Sequence, residues 1–426
     1  MAHHVILGAG PAGVIAAETL RKHEPADRIT LVGDEPEPPY SRMAIPYLLI
    51  GQIGEQGTWL RKGAGHFEAL RIGHVHARAT QVRANAREVV LDNGSTLAFD
   101  TLLVATGSHP VRPPIPGMDL PGIHPCWTLA DARAIAERAQ PGARVLQMGA
   151  GFIGCIIMEA LKQRGVDLTV VEMGDRMVPR MMGPAAGGMI RGWCEAQGVK
   201  VHTGAKVEAI TQVDGALQVQ LSTGHQLSAD LIISATGVRP AIGFLQDSGI
   251  TCLRGVLTDE HMQTNVPGVY AAGDCAEAFD KVSGTTIVSA IQPNAADQAY
   301  VAAMNMAGRR AELKGVTQIN VLDTLGLIST SFGNWEGVPG GEHAEVVDPA
   351  AHRLLSLQFE GDVLIGCNSV GWTDHVGVMR GLVEGRVRLG AWKDRLLQDP
   401  TQLMSAYLAA AQGQGQWHGA QDTRRR

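Results

Sequence analysis

Two short glycine-rich runs carry the most specific chemistry in this sequence. The first, Gly8, Ala9, Gly10, Pro11, Ala12, Gly13, follows the apolar run Val5–Leu7 and precedes Val14–Leu20, which has helical spacing. That order reads as a strand, a tight turn and a helix start. Gly8 permits the turn, Gly10 lets backbone approach a pyrophosphate, and Gly13 lets the helix pack on its strand. The N–H groups and positive end of that helix, which opens on Pro11 and Ala12, would hold phosphate oxygens, Pro11 itself having no N–H to donate. The run recurs as Gly149, Ala150, Gly151, Phe152, Ile153, Gly154 after Arg144–Met148.

Each run is followed by a strand that leads to a carboxylate. Arg28–Val32 leads to Glu35 and Leu168–Val171 leads to Glu172. Both acids fall near the place where a carboxylate grips an adenosine ribose. Glu35 also fits an ordinary acidic loop. At Glu172 a free ribose diol is accepted and a 2′-phosphate repelled, which favours NADH over NADPH, although Arg176 stands nearby as an opposing charge.

The elements around the runs repeat as well. Val89–Leu91, a polar turn and Phe99–Thr106 end in Ala105, Thr106, Gly107; Val219–Leu221, a turn and Leu231–Thr236 end in Ala235, Thr236, Gly237. Two long copies of one strand-and-loop order predict two bound dinucleotides. The chain has 426 residues, 45% hydrophobic, with 52 glycines and 4% aromatics, which suits helices packed closely on sheets in two or three domains. A net charge of −6 argues against a nucleic-acid partner. No apolar run has the length of a membrane span, and the start lacks the pattern of a secretory signal. Six cysteines without a CxxC pair point to a reduced, cytoplasmic protein. With no HExxH motif or repeated Cys/His spacing, no metal site is expected.

Together these motifs resemble the two-dinucleotide-binding flavoproteins, the pyridine nucleotide-dependent disulfide reductases and their relatives. Val269, Tyr270, Ala271, Ala272, Gly273, Asp274, Cys275 resembles the late FAD motif, in which the Asp contacts the ribityl region; Asp274 also fits a helix cap. Thr106 and Gly107, with Thr236 and Gly237, resemble the segments that connect the FAD and NAD domains. Pro39, Tyr40, Ser41, Arg42 is similar to the tract of NADH-dependent ferredoxin, rubredoxin and nitrite reductase flavoproteins, where Arg42 reaches FAD phosphate or ribose. Arg42 reads otherwise as a solvated loop cation.

The resemblance implies an α/β fold: two Rossmann-like FAD and NAD domains plus a C-terminal α+β interface domain. Its expected boundaries are 1–115 and 246–315 for FAD, 116–245 for NAD, 316–408 for the interface domain and 409–426 for a flexible tail. It implies hydride transfer from NADH to FAD, then electron delivery to a small redox protein such as ferredoxin or rubredoxin. The alternatives are an NADH oxidase or quinone reductase, or a redox-sensing or assembly subunit. A homodimer or a larger oxidoreductase complex is the expected assembly.

Three positions depart from the pattern. Met43 stands where some relatives carry a single redox cysteine, and a thioether cannot exchange with disulfides. Tyr47 and Ile156 stand where ferredoxin-reductase relatives carry a Lys and Glu pair, so both charges are lost together. No protein side chain is therefore expected to act as catalytic acid, base or nucleophile. In the last region, strands are expected at Leu354–Phe359 and Val363–Gly366 and a helix from Asp374 through Leu382. Trp335 and Trp372 are candidates for a flavin rim or interface, and His343 and His375 read chiefly as structural or surface residues.

Overall fold

A computed structural model describes residues 1–413. Valine, isoleucine and leucine runs that are apolar on both faces form the buried centres of two parallel sheets. In the first, the order is Val269–Ala271, Thr101–Val104, His3–Leu7, Arg28–Gly33, Ile72–His76. In the second it is Ile123–His124, Leu231–Ser234, Arg144–Met148, Asp167–Val171, Lys200–His202. The four strands around each phosphate turn occupy the same places, as the repeat predicts. Each copy also carries a three-stranded antiparallel insert, Ala79–Arg83 with Glu88–Leu91 and Thr96–Ala98, and Val207–Val213 with Ala216–Leu221 and Gln226–Ala229.

Small residues set the closest helix contact. The helix Pro11–His23 starts on Pro11 after an extended Gly10 and ends on Arg21, Lys22 and His23, which complement its negative end. It packs along Gln292–Met306, and both helices place small residues in the same buried core, Ala16 and Ala17 from one and Ala295, Ala299 and Ala303 from the other. In the second copy, Phe152–Gln163 packs instead against the short helix Ile45–Leu49 of the first copy and against the C-terminal strand Ile319–Thr324.

The last region is a five-stranded antiparallel sheet, ordered Ile319–Thr324, Leu327–Gly333, Val363–Val370, Arg353–Glu360, Glu342–Asp348. The two expected strands are present and longer. The other three are hidden in the sequence because serines, threonines and acids interrupt their apolar alternation. The expected helix is Val376–Gly385, starting after His375 in a left-handed conformation, φ 64°. The helix Leu403–Gly413 runs past residue 408, so residues 409–413 of the expected tail are helical; 414–426 lie outside the described residues. Among the described residues, no helix is long and apolar enough to cross a membrane, and no cluster of three potential metal ligands occurs.

Candidate functional site

The two glycine turns share one geometry. Gly8 has φ +112°, and a methyl there would meet the Ala105 carbonyl oxygen at 2.1 Å; one at Gly13 would meet the Gly8 oxygen at 1.9 Å. Gly149, φ +98°, and Gly154 are blocked in the same way, by the Ala235 oxygen at 2.4 Å and the Gly149 oxygen at 2.6 Å. The middle glycines, Gly10 and Gly151, face open space, with no atom within 4 Å of such a methyl. Both helices start without a side-chain cap and without an acid in the first turn. An open approach to uncapped helix amides, with the flanking positions closed, fits two pyrophosphate cradles. Pro11 and Ala12 begin the first helix; Phe152 and Ile153, both partly buried, begin the second.

The carboxylates after the second strands differ. Glu172 is buried, and its two oxygens accept N–H groups of Ala150 and Gly174, each at 2.7 Å. Charge-assisted bonds of this kind contribute roughly 1.5–3 kcal/mol each. Arg176 turns away from that carboxylate, donating to the Met182 carbonyl at 2.8 Å and pairing with Asp175 at 2.7 Å. Glu35 is about a third exposed and is held by side chains, pairing with Arg42 at 2.6 Å and accepting the Tyr40 hydroxyl. Burial and the adjacent Glu35 keep that phenol protonated well above its ordinary range, against the opposing Arg42 charge. Arg42 thus meets Glu35, and it also donates to the Trp127 carbonyl at 2.7 Å with its guanidinium 5.3 Å from the Trp127 ring.

Trp127 continues the contact toward Asp274. Its ring N–H donates to the Ser108 carbonyl at 3.2 Å, and the Ser108 hydroxyl donates to Asp274 at 2.8 Å. Burial raises the Asp274 pKa, opposed by that hydroxyl and by the Arg42 charge. Beside it Gly273, φ +82°, donates its N–H to the buried Gln298 at 2.7 Å. Trp127, Ser108 and Gln298 are missed by the sequence reading, which takes Tyr40 only as part of the Pro39–Arg42 tract. Ser108 directly follows Thr106 and Gly107, so its position held a signal; Gln298 lies on a distant helix and held none.

Thr106 and Thr236 interlock the two folds. The Thr106 hydroxyl donates to the Ala241 carbonyl at 2.8 Å, and the Ala241 N–H donates to the Gly107 carbonyl at 2.9 Å. Reciprocally, the Thr236 hydroxyl donates to the Val111 carbonyl at 3.1 Å and the Val111 N–H to the Gly237 carbonyl at 2.8 Å. Between them Ser108–Pro110 pairs antiparallel with Val238–Pro240. The positive φ angles of Gly107 and Gly237, 67° and 108°, turn the chain out of each sheet into this joint.

Met43 and Tyr47 are half-exposed, on the single turn Arg42–Ala44 and the helix Ile45–Leu49, and that helix packs against the one carrying the partly buried Ile156. Among the described residues the six cysteines are free thiols. Trp372 packs on the C-terminal core with the Arg353 guanidinium 5.7 Å from its ring, and Trp335 lies partly buried after Leu327–Gly333. His343 is exposed on an edge strand and bonds the Ser356 hydroxyl at 2.9 Å.

Two parallel-sheet folds with twinned phosphate turns, interlocked at their carboxyl ends and followed by an antiparallel sheet, define a two-dinucleotide oxidoreductase. The chain belongs to the pyridine nucleotide-disulphide oxidoreductase family, whose model matches residues 2–304. Members bind FAD and NAD(H), and this chain is an NAD(P)H-dependent flavin oxidoreductase by family. The NADH-dependent phenylglyoxylate dehydrogenase subunit epsilon of Aromatoleum evansii is 30% identical over 401 residues, 93% of this chain and 95% of that protein. An NADH oxidase of Methanocaldococcus jannaschii is 31% identical over 79% of this chain and 78% of its own. The ferredoxin reductase component of chlorobenzene dioxygenase from a Cupriavidus species is 34% identical over 65% and 68%. In fold, the chain matches the covalent putidaredoxin reductase–putidaredoxin complex with TM-score 0.88 and 23% identity, over 96% of this chain and 99% of that one.

Proposed function

We propose that this flavoprotein takes a hydride from NADH and delivers electrons to a small redox protein such as ferredoxin or rubredoxin. The observation that carries the reading is the pair of open-centred glycine turns, Gly8–Gly13 and Gly149–Gly154, held in one unit by the reciprocal Thr106 and Thr236 bonds. FAD is assigned to segments 1–115 and 246–315, with Gly10 at its pyrophosphate, Glu35 and Arg42 toward its ribose and phosphates, and Gly273 and Asp274 toward its ribityl chain. NADH is assigned to 116–245, with Gly151, Phe152 and Ile153 at its pyrophosphate and Glu172 at its adenosine ribose. FAD, when bound, supplies the hydride acceptance and the one-electron chemistry.

The protein's part is positioning. Glu172, braced by two backbone N–H groups, presents fixed negative charge to a ribose diol. Met43, Tyr47 and Ile156 place neither a thiol nor a Lys and Glu pair at the positions where relatives carry them. Ferredoxin-reductase kinship over two thirds of that relative's length supports a protein acceptor. A second reading, in which the acceptor is another subunit of a larger oxidoreductase, is supported by the near full-length likeness to a dehydrogenase subunit. Residues 316–408 are assigned to contact such a partner or a second copy of the chain.

Anaerobic stopped-flow mixing tests the function. NADH is expected to bleach bound flavin faster than NADPH does, and the reduced protein to reoxidise faster with ferredoxin or rubredoxin than with dioxygen or a quinone. Faster reoxidation by dioxygen or quinone would replace the protein-acceptor reading with an oxidase or quinone reductase. Flavin that neither nicotinamide bleaches would overturn the enzymatic reading altogether.

A further inference from the structure

One side chain of the C-terminal sheet reaches into the second dinucleotide fold. Asn368 lies on Val363–Val370, is 3% exposed, and is flanked across the sheet by Ser331 and Ser356. Its amide nitrogen donates to the Met181 carbonyl at 2.9 Å, and its amide oxygen accepts the Gly183 N–H at 3.0 Å. Both partners are backbone groups at the end of the segment that follows Glu172.

That segment is laced to the phosphate turn. Val178 holds a left-handed backbone, φ 49°, although it is β-branched and buried. Its N–H donates to the Ala150 carbonyl at 2.8 Å, while the Ala150 N–H donates to Glu172 at 2.7 Å. Met181 and Met182 then donate to the Val178 carbonyl at 2.9 and 3.0 Å. Packing leaves little slack, because a methyl on Gly187 would meet the Met177 carbonyl oxygen at 2.6 Å. A continuous path therefore runs from Asn368 through Met181 and Val178 to Ala150 and Glu172. A left-handed valine persists only where its surroundings over-determine it, and the Asn368 clasp closes the far end of the turn that Val178 makes.

We propose that Asn368 is a positioning residue for the nicotinamide dinucleotide. It fixes segment 173–183, and through Val178 and Ala150 it sets both the phosphate turn and the Glu172 carboxylate. The proposal rests on the assignment of NADH to Gly149–Gly154 and Glu172. It makes dinucleotide affinity depend on how the C-terminal sheet is seated, so the acceptor-facing region and the donor site are thermodynamically linked.

The test compares the holoenzyme with Asn368→Ala and Asn368→Asp. The aspartate keeps the shape and the acceptor toward Gly183 but sets a second oxygen against the Met181 carbonyl. Titration calorimetry with NAD+ and with ADP-ribose is expected to show about tenfold weaker binding of both probes to either variant. The KM for NADH rises in parallel, kcat at saturating NADH stays within about twofold, and FAD content is unchanged. The preference for NADH over NADPH falls, since Glu172 is held less firmly. Unaltered probe affinity in either variant that retains FAD overturns the proposal, as does a fall in kcat with KM unmoved. If the unsubstituted protein binds neither probe, the dinucleotide assignment itself fails and takes the proposal with it. Should Asn368→Ala lose FAD or fold poorly, the isosteric aspartate decides.

Discussion

The two dinucleotide folds share strand order, turn geometry and open middle glycines, yet they brace their carboxylates by different means. Glu172 is buried and held by the backbone of its own fold, through Ala150 and Gly174. Glu35 is partly exposed and held by Tyr40 and Arg42, and Arg42 is anchored in turn on Trp127, a residue that leads into the second fold's helix Leu129–Arg138. Tyr40 reaches the same helix, where its hydroxyl accepts the Leu129 N–H at 3.3 Å. The second site is thus built within one fold, whereas the first takes its bracing from the joint between folds. A duplicated topology conserves what steric exclusion demands and leaves charge placement free to diverge.

The largest effects belong to the glycines that separate binding from folding. Gly10→Ala is expected to weaken FAD retention roughly 100-fold, and Gly151→Ala to raise the KM for NADH by a similar factor with FAD content intact, because each methyl takes the place of two charge-assisted phosphate contacts. Neither methyl meets protein, so thermal unfolding of each FAD-free protein should match its parent; a large drop in melting temperature would show that the open centres are structural.

Smaller effects should divide the carboxylates. Glu172→Gln leaves one of two backbone N–H groups facing an amide donor, and kcat/KM for NADH is expected to fall about tenfold with NADPH less affected. For Glu35→Gln the exposed pair with Arg42 is worth only about 0–1 kcal/mol, so FAD affinity falls a few-fold at most. Equal losses at both positions, read by NADH kinetics and flavin titration, would erase the distinction.

Thiol modification should have the smallest effect. Burial holds Cys126 and Cys194 up to about 12 and Cys275 up to about 11, and pushes Cys155 and Cys367 up as well. A raised pKa keeps each group in the protonated, unreactive form below that range. Alkylation at pH 8 is therefore expected to change NADH-driven flavin reduction by less than about twofold. Loss of reduction traced to one labelled cysteine would put a thiol back into the chemistry.

The amino-acid order alone determined both phosphate turns, the repeated strands and the family, because glycine at the first and last turn positions answers local backbone contacts that any similar strand-turn-helix must make. It also marked Met43, Tyr47 and Ile156 as departures. Three strands of the last sheet escaped it, since Ser329, Thr330, Ser331 and the acids of Glu342–Asp348 break the apolar alternation that a solvent-facing sheet would keep. Only the tertiary structure decided that Arg42 grips Glu35, that Thr106 and Thr236 lock opposite strands, and that Asn368 clasps Met181 and Gly183. The Thr106, Thr236 and Asn368 contacts join groups far apart in the chain, and even Arg42 and Glu35, close in sequence, meet only across a folded loop. Such pairing depends on how separately legible elements are seated against one another, a quantity that no local pattern of side chains encodes.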